Sequence, residues 1–105
     1  MNIGIRLHDT AAGTLRERAA AARAQGFTCA HVALTKVMDT PPAPETFSPA
    51  FARTLESELR PLRIVTLGCY LNLAHPEEAV YRRTLAQYVA HLRLAAWVGG
   101  CMVGT

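Results

Sequence analysis

Strand-like and helix-like stretches alternate along the chain, and no other feature restricts its fold as much. Ile3, Ile5 and Leu7 alternate with Gly4, Arg6 and His8, the period of a strand with two unlike faces. Thr14, with Glu17 three residues on, has the pattern of a capping box. The alanine-rich stretch Leu15–Gln25 behind it favours helix, with Leu15, Ala19 and Ala22 as a narrow apolar stripe. Gly26 is placed to end that helix in the left-handed conformation. A second strand is expected at about Thr28–Leu34. The stretch Thr35–Thr46 contains Pro41, Pro42 and Pro44 and reads as a loop, long enough to serve binding. Ser48-Pro49 restarts a helix, an N-cap followed by proline at the first helical position, and Pro61 ends it.

The third strand, Arg63–Leu67, enters a polar elbow that carries Gly68 to His75. Pro76-Glu77-Glu78 then opens the third helix, with acidic groups at the positive end of its dipole. Tyr81, Leu85, Tyr88, Leu92 and Ala95 recur at spacings of four and three and predict its buried stripe. On that assignment His91 and Arg82-Arg83 face solvent. Gly99-Gly100 breaks the helix, and Cys101–Gly104 begins a fourth strand.

Strands that alternate with helices pair in parallel through right-handed crossovers. Two architectures compete, a doubly wound sheet and a (β/α)8 barrel. Mid-strand Arg6 and His31 are costly beneath a packed helix but suit a barrel interior that grows polar toward its top. The third strand is less clean, since Arg63, Val65 and Leu67 oppose Ile64, Thr66 and Gly68. A full barrel needs roughly 200 residues or more. The 105 residues therefore predict one α/β domain over 1–105, with parallel (β/α) repeats. They are expected to form about half of a TIM (β/α)8 barrel, three βα units plus a fourth strand, and the resemblance given below implies that it is the N-terminal half. The alternative is a self-sufficient small α/β domain.

Charge and cysteine content narrow the partners. The net charge is +3, from Lys+Arg 11 against Asp+Glu 8, with no basic run. That argues against nucleic acid or an acidic membrane surface as a partner. No apolar stretch reaches the length of a membrane span, and the N-terminus lacks a signal-peptide pattern. Cys29, Cys69 and Cys101 are odd in number and lack C-x-x-C spacing, so we expect reduced cysteines in a cytoplasmic protein.

Three stretches carry a resemblance. Ile3-Gly4-Ile5-Arg6-Leu7-His8-Asp9, then Leu67-Gly68-Cys69-Tyr70-Leu71-Asn72-Leu73-Ala74-His75-Pro76, then Met102-Val103-Gly104-Thr105 resemble the sugar phosphate isomerase/epimerase family. This is the xylose-isomerase-like TIM-barrel group, and the Gly-Cys-Tyr-x-Asn-x-x-His-Pro stretch is the specific part. The resemblance implies a divalent metal (Mn, Mg, Zn or Co) that polarises a sugar carbonyl while carboxylates move a proton through an enediolate. The ligands and catalytic residues it implies belong to later strands. None is expected among these 105 residues, which should bind no metal and show no isomerase activity by themselves.

What the resemblance leaves to this stretch is substrate contact, at His8, Lys36, Tyr70, Asn72 and His75. Each has a structural alternative. His8 would anchor a loop, Lys36 would be solvated, and Asn72 would stabilise the turn. Tyr70 would pack with its hydroxyl in water, and His75 would cap the following helix. His31 reads as a hydrogen-bonded interior histidine, and Cys69 as pocket lining without a base beside it. The expected ligand is a small sugar or sugar phosphate. An apurinic endonuclease of the same superfold fits less well, because its metal-ligating histidine three residues before the tyrosine is Leu67 here. A third reading is a non-catalytic half-barrel that self-associates as a homo-oligomer through its uncovered inner face.

Overall fold

Side-chain caps set where the helices begin. The computed structural model describes residues 3–10, 12–71 and 73–104. Thr14 accepts a hydrogen bond from the Glu17 amide, and the Glu17 carboxylate accepts one from the Thr14 amide, 3.1 Å each. This completes the expected capping box of helix α1, Leu15–Ala24. Gly26, at φ +92°, follows its last turn in the left-handed conformation that glycine adopts without steric cost. Ser48 Oγ accepts from the Phe51 amide and starts helix α3, Pro49–Leu59. Helix α4 runs Glu78–Trp97, with Gly99 and Gly100 beyond its end.

One short element was not expected. Strand β2 stops at Val32, and Leu34–Val37 forms a single helical turn, α2, where strand and then loop were predicted. A 3-10 turn at Pro44–Thr46 further subdivides the proline-rich loop.

The strands are β1 Gly4–Arg6, β2 Cys29–Val32, β3 Arg63–Gly68 and β4 Met102–Gly104. They form one parallel sheet in the order β1-β2-β3-β4. The β2–β3 register shifts between Ala30 and His31, so that Ala30 pairs with Ile64 but His31 pairs with Thr66. Val65 is the extra residue. This bulge explains the mixed pattern of the third strand: Ile64 and Leu67, three apart, both face the helices.

Ile5, Ala30, Val32, Ile64, Leu67 and Val103 join one hydrophobic cluster with Ala19 and Ala22 of α1, Leu55 and Leu59 of α3, and Leu94 of α4. The three long helices thus lie on one side of the sheet. The opposite face carries Arg6, His31, Thr66 and Met102, which share register across the four strands. Arg6 is exposed there, and Met102 is 70% exposed.

Helix α4 is turned relative to the expected stripe. Thr84, His91, Leu94 and Ala95 are its buried residues, whereas Tyr81, Leu85 and Leu92 are exposed. Only Ala95 of the predicted stripe is buried, with Tyr88 half-buried. His91, expected at the surface, is buried instead. Its ring meets the edge of Phe47 at 5.1 Å between centroids, and its Nδ1 donates to the Gln87 carbonyl at 2.7 Å. That local bond lets a polar side chain occupy a core position.

Among the described residues, no helix is long and apolar enough to cross a membrane. All three cysteines are free thiols.

Candidate functional site

The strand ends bring four side chains together. After β1 the chain makes a 3-10 turn at Leu7–Asp9, pinned by buried Leu7 and closed by the Thr10 hydroxyl on the Leu7 carbonyl, 2.6 Å. The turn sets His8 over the end of the sheet. Asp9 accepts from Arg6 Nε at 2.8 Å and lies 3.9 Å from His8 Nε2. The neighbouring strand supplies His31, whose ring meets that of His8 edge to face with centroids 6.2 Å apart. On its other side His31 lies 6.3 Å from the Tyr70 ring, just past β3. Lys36, on α2, holds its Nζ 6.0 Å from the centre of that ring, within cation–π range.

Of the five residues predicted for substrate contact, His8, Lys36 and Tyr70 are joined in this way. His75 is not. Its Nδ1 accepts from the Glu77 amide at 3.1 Å, so it caps the entry to α4. Asn72 lies outside the described residues.

His31 is the residue that sequence reasoning undervalued. It was expected to be a satisfied interior histidine. Instead its Nε2 is buried without a hydrogen-bond partner, as is His8 Nδ1. Each such orphan costs about 1–3 kcal/mol. Burial first, then the positive charges of His8 and Arg6, lowers the His31 pKa from the ordinary histidine value, against the opposing pull of Asp9. The ring is therefore neutral at pH 7. A sequence signal did exist, since mid-strand His31 has the same parity as Cys29, away from the core. Gly68 provides the room: a Cβ there would overlap His31 Nε2 and come within 3.1 Å of the Ala33 Cβ.

A pocket of about 240 Å³ adjoins this group, bounded by the proline-rich loop, Phe47, Cys69, Tyr70 and His91. Cys69 lines it, as expected, but a histidine does stand beside the thiol. Cys69 Sγ lies 3.3 Å from His91 Nδ1. This pair is not an activated nucleophile. The 2.7 Å contact with the Gln87 carbonyl requires a proton on Nδ1, so that nitrogen has no lone pair to take the thiol proton. Burial also pushes the thiol up from 9.0 to about 11.

Two results are expected from that shift. At pH 8 the native thiolate fraction should be about 100-fold below that of an ordinary cysteine, and iodoacetamide should label Cys69 correspondingly slowly. Between about pH 9 and about 11 the unfolded thiol has lost a proton that the folded one keeps, so stability falls as pH rises through that window. Urea midpoints of wild type and Cys69→Ala, compared across the window, check the sign, because the variant loses this contribution.

Among the described residues, no group of three or more His, Cys, Asp or Glu side chains is placed to hold a metal ion. They do not fit the divalent metal that the family resemblance implies. The strand-end group offers instead two neutral-capable imidazoles, a phenol and an ammonium, which suit binding a ligand with hydroxyl or anionic groups. No family model matches the sequence, and no curated protein matches it.

Proposed function

We propose that the chain is the substrate-binding, N-terminal half of a (β/α)8 barrel of the sugar phosphate isomerase/epimerase type. The observation that carries this reading is the meeting of His8, Lys36 and Tyr70, through His31, at the C-terminal ends of three successive parallel strands. That end is where barrel enzymes assemble their sites from strand-end residues. Helices confined to one side of a parallel sheet, as a barrel wall requires, support the same reading.

In this reading the residues bind and orient. Tyr70, 49% exposed, offers a phenol at the mouth, and Lys36 beside it neutralises a phosphate or carboxylate on the ligand. The imidazoles meet hydroxyls deeper in. Proton transfer at carbon is left to groups outside this stretch.

D-Xylulose, D-tagatose and D-fructose 6-phosphate, each added to the purified chain in D2O, test the proposal by NMR. At least one should shift the Tyr70 and His31 resonances saturably, and Lys36→Met should weaken the phosphate ester more than the neutral sugars. No exchange of the carbon-bound proton next to the carbonyl is expected. Failure of all three to bind refutes the substrate class. Exchange catalysed by the chain, with or without Mn2+ or Mg2+, refutes the assignment of proton transfer to other residues.

A further inference from the structure

The pocket between the proline-rich loop and α4 has walls that are fixed by the chain itself. Pro41, Pro42 and Pro44 restrict the backbone of the loop. The Ala43 carbonyl accepts from the Thr46 amide at 2.8 Å and from the Thr46 hydroxyl at 2.6 Å, which closes the 3-10 turn. Phe47, just after that turn, is held by two other rings. It stacks on Phe51 with centroids 5.6 Å apart and planes at 10°, and it meets the His91 ring nearly at right angles, 5.1 Å away. Packing of this kind resists collapse, so the space of about 240 Å³ stays open.

Its chemistry is unlike that of the strand-end group. Among the described residues, no Asp, Glu, Lys or Arg side chain borders it, and of the strand-end residues only Tyr70 does. Leu34, Leu71, the three prolines and the Phe47 ring give it mainly apolar walls. Its buried polar groups are already engaged: Cys69 Sγ with His91 Nδ1, and His91 Nδ1 with the Gln87 carbonyl. An ion would lose its hydration there and meet no opposite charge. A sugar would leave most of its hydroxyls without partners. An uncharged ring suits these walls. A cavity of about 150 Å³ holds benzene, so the space here takes a single ring with a short substituent.

We propose that this pocket binds an uncharged single-ring aromatic group, packed against Phe47, Tyr70 and the prolines. Contacts between aromatic rings add to what apolar burial alone provides, which makes the site selective for aromatic over aliphatic rings. The proposal does not rest on the sugar-binding reading. Phe47 packs on the hydrophobic cluster, so the pocket lies on the helix side of the sheet, and it shares only Tyr70 with the strand-end group.

The test titrates benzyl alcohol into the full chain and reads binding by NMR. Its ring protons should give saturable intermolecular NOEs to Phe47 and Tyr70, with a Kd on the order of 1 mM for so small a ligand. Cyclohexylmethanol should bind roughly 2- to 12-fold more weakly, the share that ring–ring contact adds. Thr35 and Ala43 are exposed residues of the lining, so enlarging either leaves the core untouched. Thr35→Trp and Ala43→Trp bring a ring to the pocket from different elements, and at least one should abolish binding. D-Xylulose should not displace the probe. Absence of the NOEs overturns the site, and so does full binding in both tryptophan variants. Equal affinity for cyclohexylmethanol overturns the aromatic assignment. Displacement by D-xylulose overturns the separation from the strand-end group.

Discussion

Leu94→Ala is expected to lower the unfolding free energy by about 2–5 kcal/mol, and Leu92→Ala to change it by less than about 0.5 kcal/mol. The two residues are two positions apart on one helix and chemically identical. Leu94 is fully buried among Leu55, Leu67 and the other residues of the single cluster, whereas Leu92 is 45% exposed. Removing the Leu94 side chain leaves a cavity against a sheet that is fixed by parallel pairing, and such a site collapses poorly. Urea denaturation of the two variants, with unchanged slope, distinguishes them. A larger loss at Leu92 would mean that α4 sits with the face expected from sequence, and equal losses would mean that neither face alone packs on the sheet.

That comparison also shows why α4 was misread from its letters. Its apolar residues are spread over two stripes. Tyr81, Leu85 and Leu92 form one; Leu94, Ala95 and Val98 belong to the other, together with the polar Thr84 and His91. Counting hydrophobic matches favoured the first stripe, because a histidine counts against burial. The structure satisfies His91 locally, through the carbonyl four residues earlier and the edge of Phe47. That contact depends on the proline-rich loop folding back onto α4, which no local window contains. The caps behaved in the opposite way. Thr14–Glu17 and Ser48-Pro49 act within one turn, so their meaning is complete in the sequence.

The sheet and the site divide along the same line. Parallel order followed from alternation of elements, and the strand starts and stops were legible to within a few residues. The Val65 bulge was not, because an extra residue is defined only against a partner strand. His8, Lys36 and Tyr70 were legible as strand-end residues of a βα repeat. His31 was placed correctly on the face away from the helices, yet its missing hydrogen bond is a property of its surroundings. The capping role of His75 rested on its position before Pro76-Glu77 and needed nothing distant.

Gly68→Ala is expected to cost about 1–3 kcal/mol, and to cost much less when His31 is also alanine. Gly68 is buried at the end of β3 and does not adopt a positive φ, so its backbone accepts alanine. What forbids the methyl group is the overlap with His31 Nε2, together with the tight approach to the Ala33 Cβ. The single variant must therefore push the imidazole off the sheet toward solvent. Truncating His31 to alanine removes the obstacle, and the remaining penalty is the Ala33 contact alone. A double-mutant cycle by urea denaturation should give a coupling of about 0.5–3 kcal/mol between the two positions. The single variant should also move His31 to the ordinary histidine titration range, since burial is the first cause of its lowered pKa. Additive losses, or a His31 titration unchanged by Gly68→Ala, would mean that the ring does not rest on the glycine. The strand-end group would then lose the floor on which its geometry depends.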